Sequence, residues 1–89
     1  MAIIVRKASA GTLESSDAYV EIGPGTGNGV ELDLESVVVK QYGDQIEATV
    51  KSVLDQFEVT DAEVKVVDRG ALDCVIGARV ETAIMRGEE

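Results

Sequence analysis

A change of apolar period divides the chain into two kinds of element. From Val30 to Glu35 the sequence reads VELDLE, with Val30, Leu32 and Leu34 alternating with Glu31, Asp33 and Glu35. A period of two places apolar side chains on one face of a strand and acids toward water. Further on, Tyr42, Ile46, Val50, Val53, Leu54 and Phe57 recur at helical spacing and form a single apolar stripe. Neither element can bury its apolar face alone, so the chain must layer helix on sheet.

The remaining segments extend this pattern. Residues 3 to 13 are loosely β-like, and AYVEI, Ala18 to Ile22, reads as a strand. GPGTGNG, Gly23 to Gly29, holds four glycines and the only proline, and ends in Asn28-Gly29, a strong hairpin signal. It lacks the Lys-Ser/Thr ending of a phosphate-binding loop, and no helix follows it directly, so it reads as a hairpin connection. The helix start has two candidates, Ser36 as N-cap or a later start at Gly43-Asp44, because Val37 to Val39 are β-branched. Glu63 to Val67 reads as a further strand. The last segment, Asp73 to Arg86, alternates as a strand would, yet Ile76, Val80, Ala83 and Ile84 also make a helical face. Its length and its Ala, Arg, Glu and Met content favour helix, with Asp73 as N-cap. The expected order is β-β-β-α-β-α, an α+β two-layer sandwich of about four strands with two helices on one face. Residues 1–89 are expected to form a single domain.

Composition narrows function. The formal net charge of −9 disfavours nucleic-acid and membrane partners and suits docking to basic patches on proteins. There is no histidine, which excludes Ser-His and Cys-His catalysis within the chain and removes the commonest transition-metal ligand. No metal site is expected, since no spaced Asp/Asn loop with its glycine and closing Glu is present. The one cysteine, Cys74, cannot form an internal disulfide, and it reads as a small packed hydrophobe. No apolar run is long enough for a membrane span, and the start does not read as a secretory signal. A cytoplasmic location is the expectation.

Within this sparse chemistry, GTLESSD at Gly11 to Asp17 stands out. Glu14, Ser15, Ser16 and Asp17 supply turn chemistry between two strands. A serine has no special nucleophilicity without a base, so neither Ser15 nor Ser16 reads as a catalytic nucleophile. An exposed serine at a hairpin tip can, however, enter another enzyme's active site without unfolding its own domain. Of two neighbouring serines, one is expected to face outward and the other to bond the turn backbone.

AGTLESSD (Ala10 to Asp17) resembles the attachment motif of the citrate lyase acyl carrier protein, or gamma chain. The likeness continues through NGVELDL, KQYGDQI, TDAEVKV and DRGALDCVIGARVE, and covers nearly the whole chain. Gly77 stands where that family would have an arginine. The resemblance implies a non-catalytic carrier subunit. Ser15 would carry a covalent 2'-(5''-phosphoribosyl)-3'-dephospho-CoA arm through a phosphodiester, with Glu14, Ser16 and Asp17 as the supporting turn. The arm's thiol would hold acetyl and then citryl as thioesters. The implied partners are the citrate lyase alpha chain (acyl transferase), the beta chain (citryl lyase) and a prosthetic-group transferase. The alternatives are the related carrier subunit of malonate decarboxylase and a small α+β interaction domain with an unmodified turn.

Overall fold

The computed structural model describes residues 3–36 and 39–88. The elements run β1 (Ala8–Gly11), β2 (Ala18–Pro24), β3 (Val30–Ser36), α1 (Val39–Gln56), β4 (Ala62–Asp68) and α2 (Asp73–Gly87). The four strands form one mixed sheet in the order β1-β2-β4-β3, with both helices on one face. The expected α+β sandwich and its element order are therefore present.

The sheet order corrects one expectation. β2 and β3 are not a hairpin, because β4 lies between them. It pairs antiparallel with β2, with Val20 opposite Val66, and parallel with β3, with Leu34 opposite Val66. β3, α1 and β4 thus make a β-α-β unit whose returning strand inserts beside β2. The physical reason lies in the strands themselves. β4 buries Val64, Val66, Val67 and Asp68, whereas Glu31, Asp33 and Glu35 of β3 are exposed. A charged strand suits a sheet edge and the more apolar one its centre. The glycine loop instead crosses the start of β4. A Cβ on Gly25 would overlap the Asp61 carboxylate and the Ala62 nitrogen, and the Gly27 N–H donates to both Asp61 oxygens at 3.2 Å.

The core is aliphatic. Ile46, Val50 and Leu54 of α1 and Ile76, Val80, Ala83 and Ile84 of α2 are buried against Val20, Ile22, Val64 and Val66. Val53 and Phe57 are partly buried beside them, whereas the packing expected of Tyr42 lies outside the described side chains. Gly77 stands at the contact between the helices, where a Cβ would meet Val53 and Thr49 at ordinary contact distance.

Three local expectations change. α1 is already helical at Val39, so Gly43-Asp44 is not its start, and the junction at residues 37–38 lies outside the described residues. Leu72 is the N-cap of α2, and Asp73 is the first residue inside it, where its charge complements the helix dipole and its carboxylate accepts from Gln45 Nε2 at 2.6 Å. Cys74 is exposed, because the inward face of α2 starts at Ile76. Residues 3 to 13 contain only the short strand β1. Ile4, upstream of β1, is nonetheless buried, and the Val5 and Arg6 N–H groups donate to the Gly87 carbonyl.

Ile76 is fully buried between the sheet and α1. Ile76→Ala is expected to lower unfolding free energy by roughly 2–5 kcal/mol, through lost transfer energy and a cavity, as read by urea denaturation.

Candidate functional site

Residues 12–17 join β1 to β2, and their conformation follows from a small set of hydrogen bonds. The Asp17 N–H donates to the Glu14 carbonyl at 3.2 Å, closing a four-residue turn with Ser15 second and Ser16 third. Ser16 has φ 65°, while Ser15 is not among the positive-φ residues. A positive φ at the third position alone defines a type II turn, where glycine is the usual occupant.

The turn is also bonded just past the end of β4, the strand beside β2. The Ser16 N–H donates to the Arg69 carbonyl at 2.8 Å, and the Arg69 N–H donates to the Asp17 carbonyl at 3.0 Å. Ser16 and Asp17 together oppose the single residue Arg69, one step beyond the Ala18–Asp68 pair of the β2–β4 ladder. This is a G1 β-bulge, whose first residue is normally a left-handed glycine. Here that residue is Ser16, so the tip stores backbone strain of order 1–2 kcal/mol.

Asp17 anchors the loop through its side chain. Its carboxylate accepts from Thr12 Oγ1 at 2.7 Å, from the Ala18 N–H at 2.7 Å, and from Arg79 of α2 in a two-pronged contact at 3.1 and 3.2 Å. The Thr12 hydroxyl also accepts the Glu14 N–H at 3.2 Å. The Thr12 hydroxyl, then Arg79, then the Ala18 N–H hold the Asp17 carboxyl well below its ordinary range, at about 2. Gly11 makes room for this cluster. It has φ 91°, and a Cβ there would overlap the Ala18 carbonyl and press on the Arg79 stem.

A second carboxyl supports the first. Asp68 is 1 % exposed and accepts from Ser36 Oγ at 2.8 Å and from the Gly70 and Ala71 N–H groups at 3.2 and 2.9 Å. It ties the end of β3 and the loop into α2 to the central strand. That loop carries the Arg69 backbone against the serine turn.

Of the residues singled out from sequence, Glu14, Ser15, Ser16 and Asp17 form one turn. Both serines are exposed, and neither hydroxyl is hydrogen-bonded among the described residues, so the expected division into one outward and one bonded serine is not observed. The serines differ in backbone: Ser16 is strained and pinned to Arg69. Thr12, Asp68, Arg69 and Arg79 were not foreseen. Asp68-Arg69-Gly70 has the Asp-x-Gly form of a side-chain-supported turn and offered a local signal. Arg79 lies 62 residues from Asp17 and offered none. Among the described residues, no group of His, Cys, Asp or Glu could hold a metal ion, and no helix is long and apolar enough to cross a membrane.

Comparison with known proteins gives the chain a family. The family described as malonate decarboxylase delta subunit (MdcD) matches residues 5–87. The citrate lyase acyl carrier protein of Treponema denticola is 51% identical over 86 residues, which cover 97% of each chain. That of Haemophilus influenzae is 50% identical over 86 residues, covering 97% of this chain and 88% of the other. The chain belongs to the citrate lyase acyl carrier protein family. Its role is that of a carrier subunit rather than a catalyst. A chain in the crystal structure of a Pseudomonas malonate decarboxylase hetero-tetramer in complex with malonate superposes with a TM-score of 0.80. At 17% identity, over 97% of this chain and 91% of that one, the likeness is one of fold.

Two outcomes follow for the carrier's turn. Ser16→Gly removes the left-handed strain while adding chain entropy to the unfolded state, and is expected to stabilise the fold by roughly 0.5–1 kcal/mol in chemical denaturation. The Asp17 carboxyl has a folded value below its unfolded one, so its stabilising contribution is complete above about pH 4 and is lost as pH falls toward 2. Asp17→Asn should lower stability at neutral pH. It should also flatten the acid limb of the stability–pH curve between pH 4 and 2, as followed by thermal unfolding.

Proposed function

We propose that this chain is the acyl carrier subunit of citrate lyase, carrying its prosthetic group on Ser15. One observation carries the reading: an exposed serine occupies the second position of a turn whose backbone is held on both sides, in a chain with no catalytic group beside it. About 50% identity over nearly the whole chain favours citrate lyase over malonate decarboxylase as the parent complex.

The residues at the turn suit a covalent phosphodiester. Ser15 is exposed, and the two residues after it are bonded to the backbone of Arg69, a cation. Among the described residues, no hydrogen bond links the Ser15 hydroxyl to a base. Asp17 is fully engaged and very weakly basic, and histidine is absent. The base for attachment must then come from the modifying transferase, as must recognition of the donor. Once attached, a phosphoribosyl dephospho-CoA arm would supply a thiol on which acetyl and citryl are held as thioesters. The carrier's own contribution is mechanical. The bulge and the Asp17–Arg79 contact fix the root of the arm, so that a tethered thiol reaches neighbouring active sites at high effective concentration. Those sites would lie on the alpha and beta chains of the complex.

The test is intact-mass measurement and peptide mapping after co-expression with the transferase. Ser15→Ala is expected to keep the fold and lose the adduct completely. Ser16→Ala, which leaves the bulge backbone in place, is expected to remain modified. An adduct on Ser16, or one persisting in Ser15→Ala, would overturn the assignment.

A further inference from the structure

We propose that Arg69 is the positioning residue that pairs with the phosphodiester at Ser15, an inference that rests on the carrier reading above. Arg69 is the one residue opposite the bulge, with its backbone bonded to Ser16 on one side and to Asp17 on the other. Its Cα is therefore held about one strand spacing, roughly 5 Å, from the turn that bears Ser15. An arginine stem spans that gap. Gly70, with φ 89°, and the buried Asp68 fix the backbone on either side of it.

The Arg69 side chain is exposed and has no partner among the described residues. The arginines of α2 are engaged: Arg79 grips both oxygens of Asp17, and Arg86 donates to the Ser9 carbonyl at 2.8 Å. Charge makes the uncommitted guanidinium significant. A phosphodiester on Ser15 adds a negative charge between Glu14 and Asp17, in a chain already at −9. Arg79 offsets Asp17, which leaves Glu14 and the phosphate without compensation. Arg69 is the cation whose backbone is fixed against this turn. Its planar fork matches the two non-bridging oxygens of a phosphodiester, a geometry that a lysine ammonium does not reproduce.

The experiment uses the isolated full chain, loaded by the transferase and verified by mass. It reads the side-chain Nε–H resonances of 15N-labelled arginine together with the 31P resonance of the adduct. The Arg69 resonance is assigned by its loss in Arg69→Gln. That variant keeps the bulge backbone, and its amide spectrum checks that the fold is retained. On loading, the Arg69 Nε–H resonance is expected to shift and its exchange with water to slow several-fold. The 31P resonance of loaded Arg69→Gln is expected to be displaced from that of the parent. Loaded protein with an unchanged Arg69 resonance, and a 31P resonance identical in parent and variant, would overturn the pairing while leaving the carrier reading intact. Parent protein that acquires no adduct at all would overturn the carrier reading and the pairing with it.

Discussion

The buried carboxyl of Asp68 at the end of the central strand β4 is the contact on which the serine-turn end of this molecule depends. Its oxygens take a hydroxyl from β3 and two backbone N–H groups from the loop that leads into α2. A polar group this deeply buried is tolerable only when its hydrogen bonds are made, and here they come from three separate residues. Removing it would leave the Ser36 hydroxyl and two N–H groups without their acceptor. It would also release Arg69, and Arg69 provides both backbone hydrogen bonds that turn residues 16 and 17 into a bulge. The position of the serine turn is thus set by a residue about fifty positions away, acting through the sheet.

Much of the architecture was legible because local pattern and tertiary demand agree. The alternation in VELDLE, the stripe through Ile46, Val50 and Leu54, and the face of Ile76, Val80, Ala83 and Ile84 each describe one side of a two-layer sandwich. The hairpin reading of Asn28-Gly29 failed for a reason local sequence does not contain. That dipeptide permits a tight reversal, but the strand after it has a better neighbour in β4, which arrives only after α1. Gly25 serves close approach to Asp61 instead, and Gly27, at φ 91°, donates its N–H to the same carboxylate. At the candidate site, the turn itself was legible from Glu14 to Asp17, since Ser and Asp favour such geometry. Its supports were not, because Arg69 and Arg79 meet the turn only through the sheet and α2.

Ser16 shows a local rule broken at the point where function is proposed. The first position of a G1 bulge and the third of a type II turn both favour glycine, and the chain spends glycines freely elsewhere, at Gly27, Gly29 and Gly70, all with positive φ. At Ser16 it keeps a side chain and accepts the strain. Conflict between local preference and global fold is expected where a site is held in place for a purpose. A glycine would be more stable there, and it would also leave the backbone beside Ser15 freer to move.

Rigidity at this point matters because everything attached beyond it would be flexible. A tethered thiol samples a volume set by its arm and by the motion of the arm's root. Motion of the root adds directions that lead to no active site and dilutes the thiol at the productive ones. A turn whose carbonyl and amide are both bonded to Arg69 and whose acid is bonded to Arg79 of α2 confines the root. Asp17 alone connects Thr12 just after β1, Ala18 at the start of β2 and Arg79 of α2. The same network leaves both hydroxyls facing solvent and free of internal bonds, so a modifying enzyme need not break any internal contact to reach them. The two exposed serines differ in backbone: Ser16 is fixed in a left-handed conformation against Arg69, whereas Ser15 holds the second position of the turn without a positive φ.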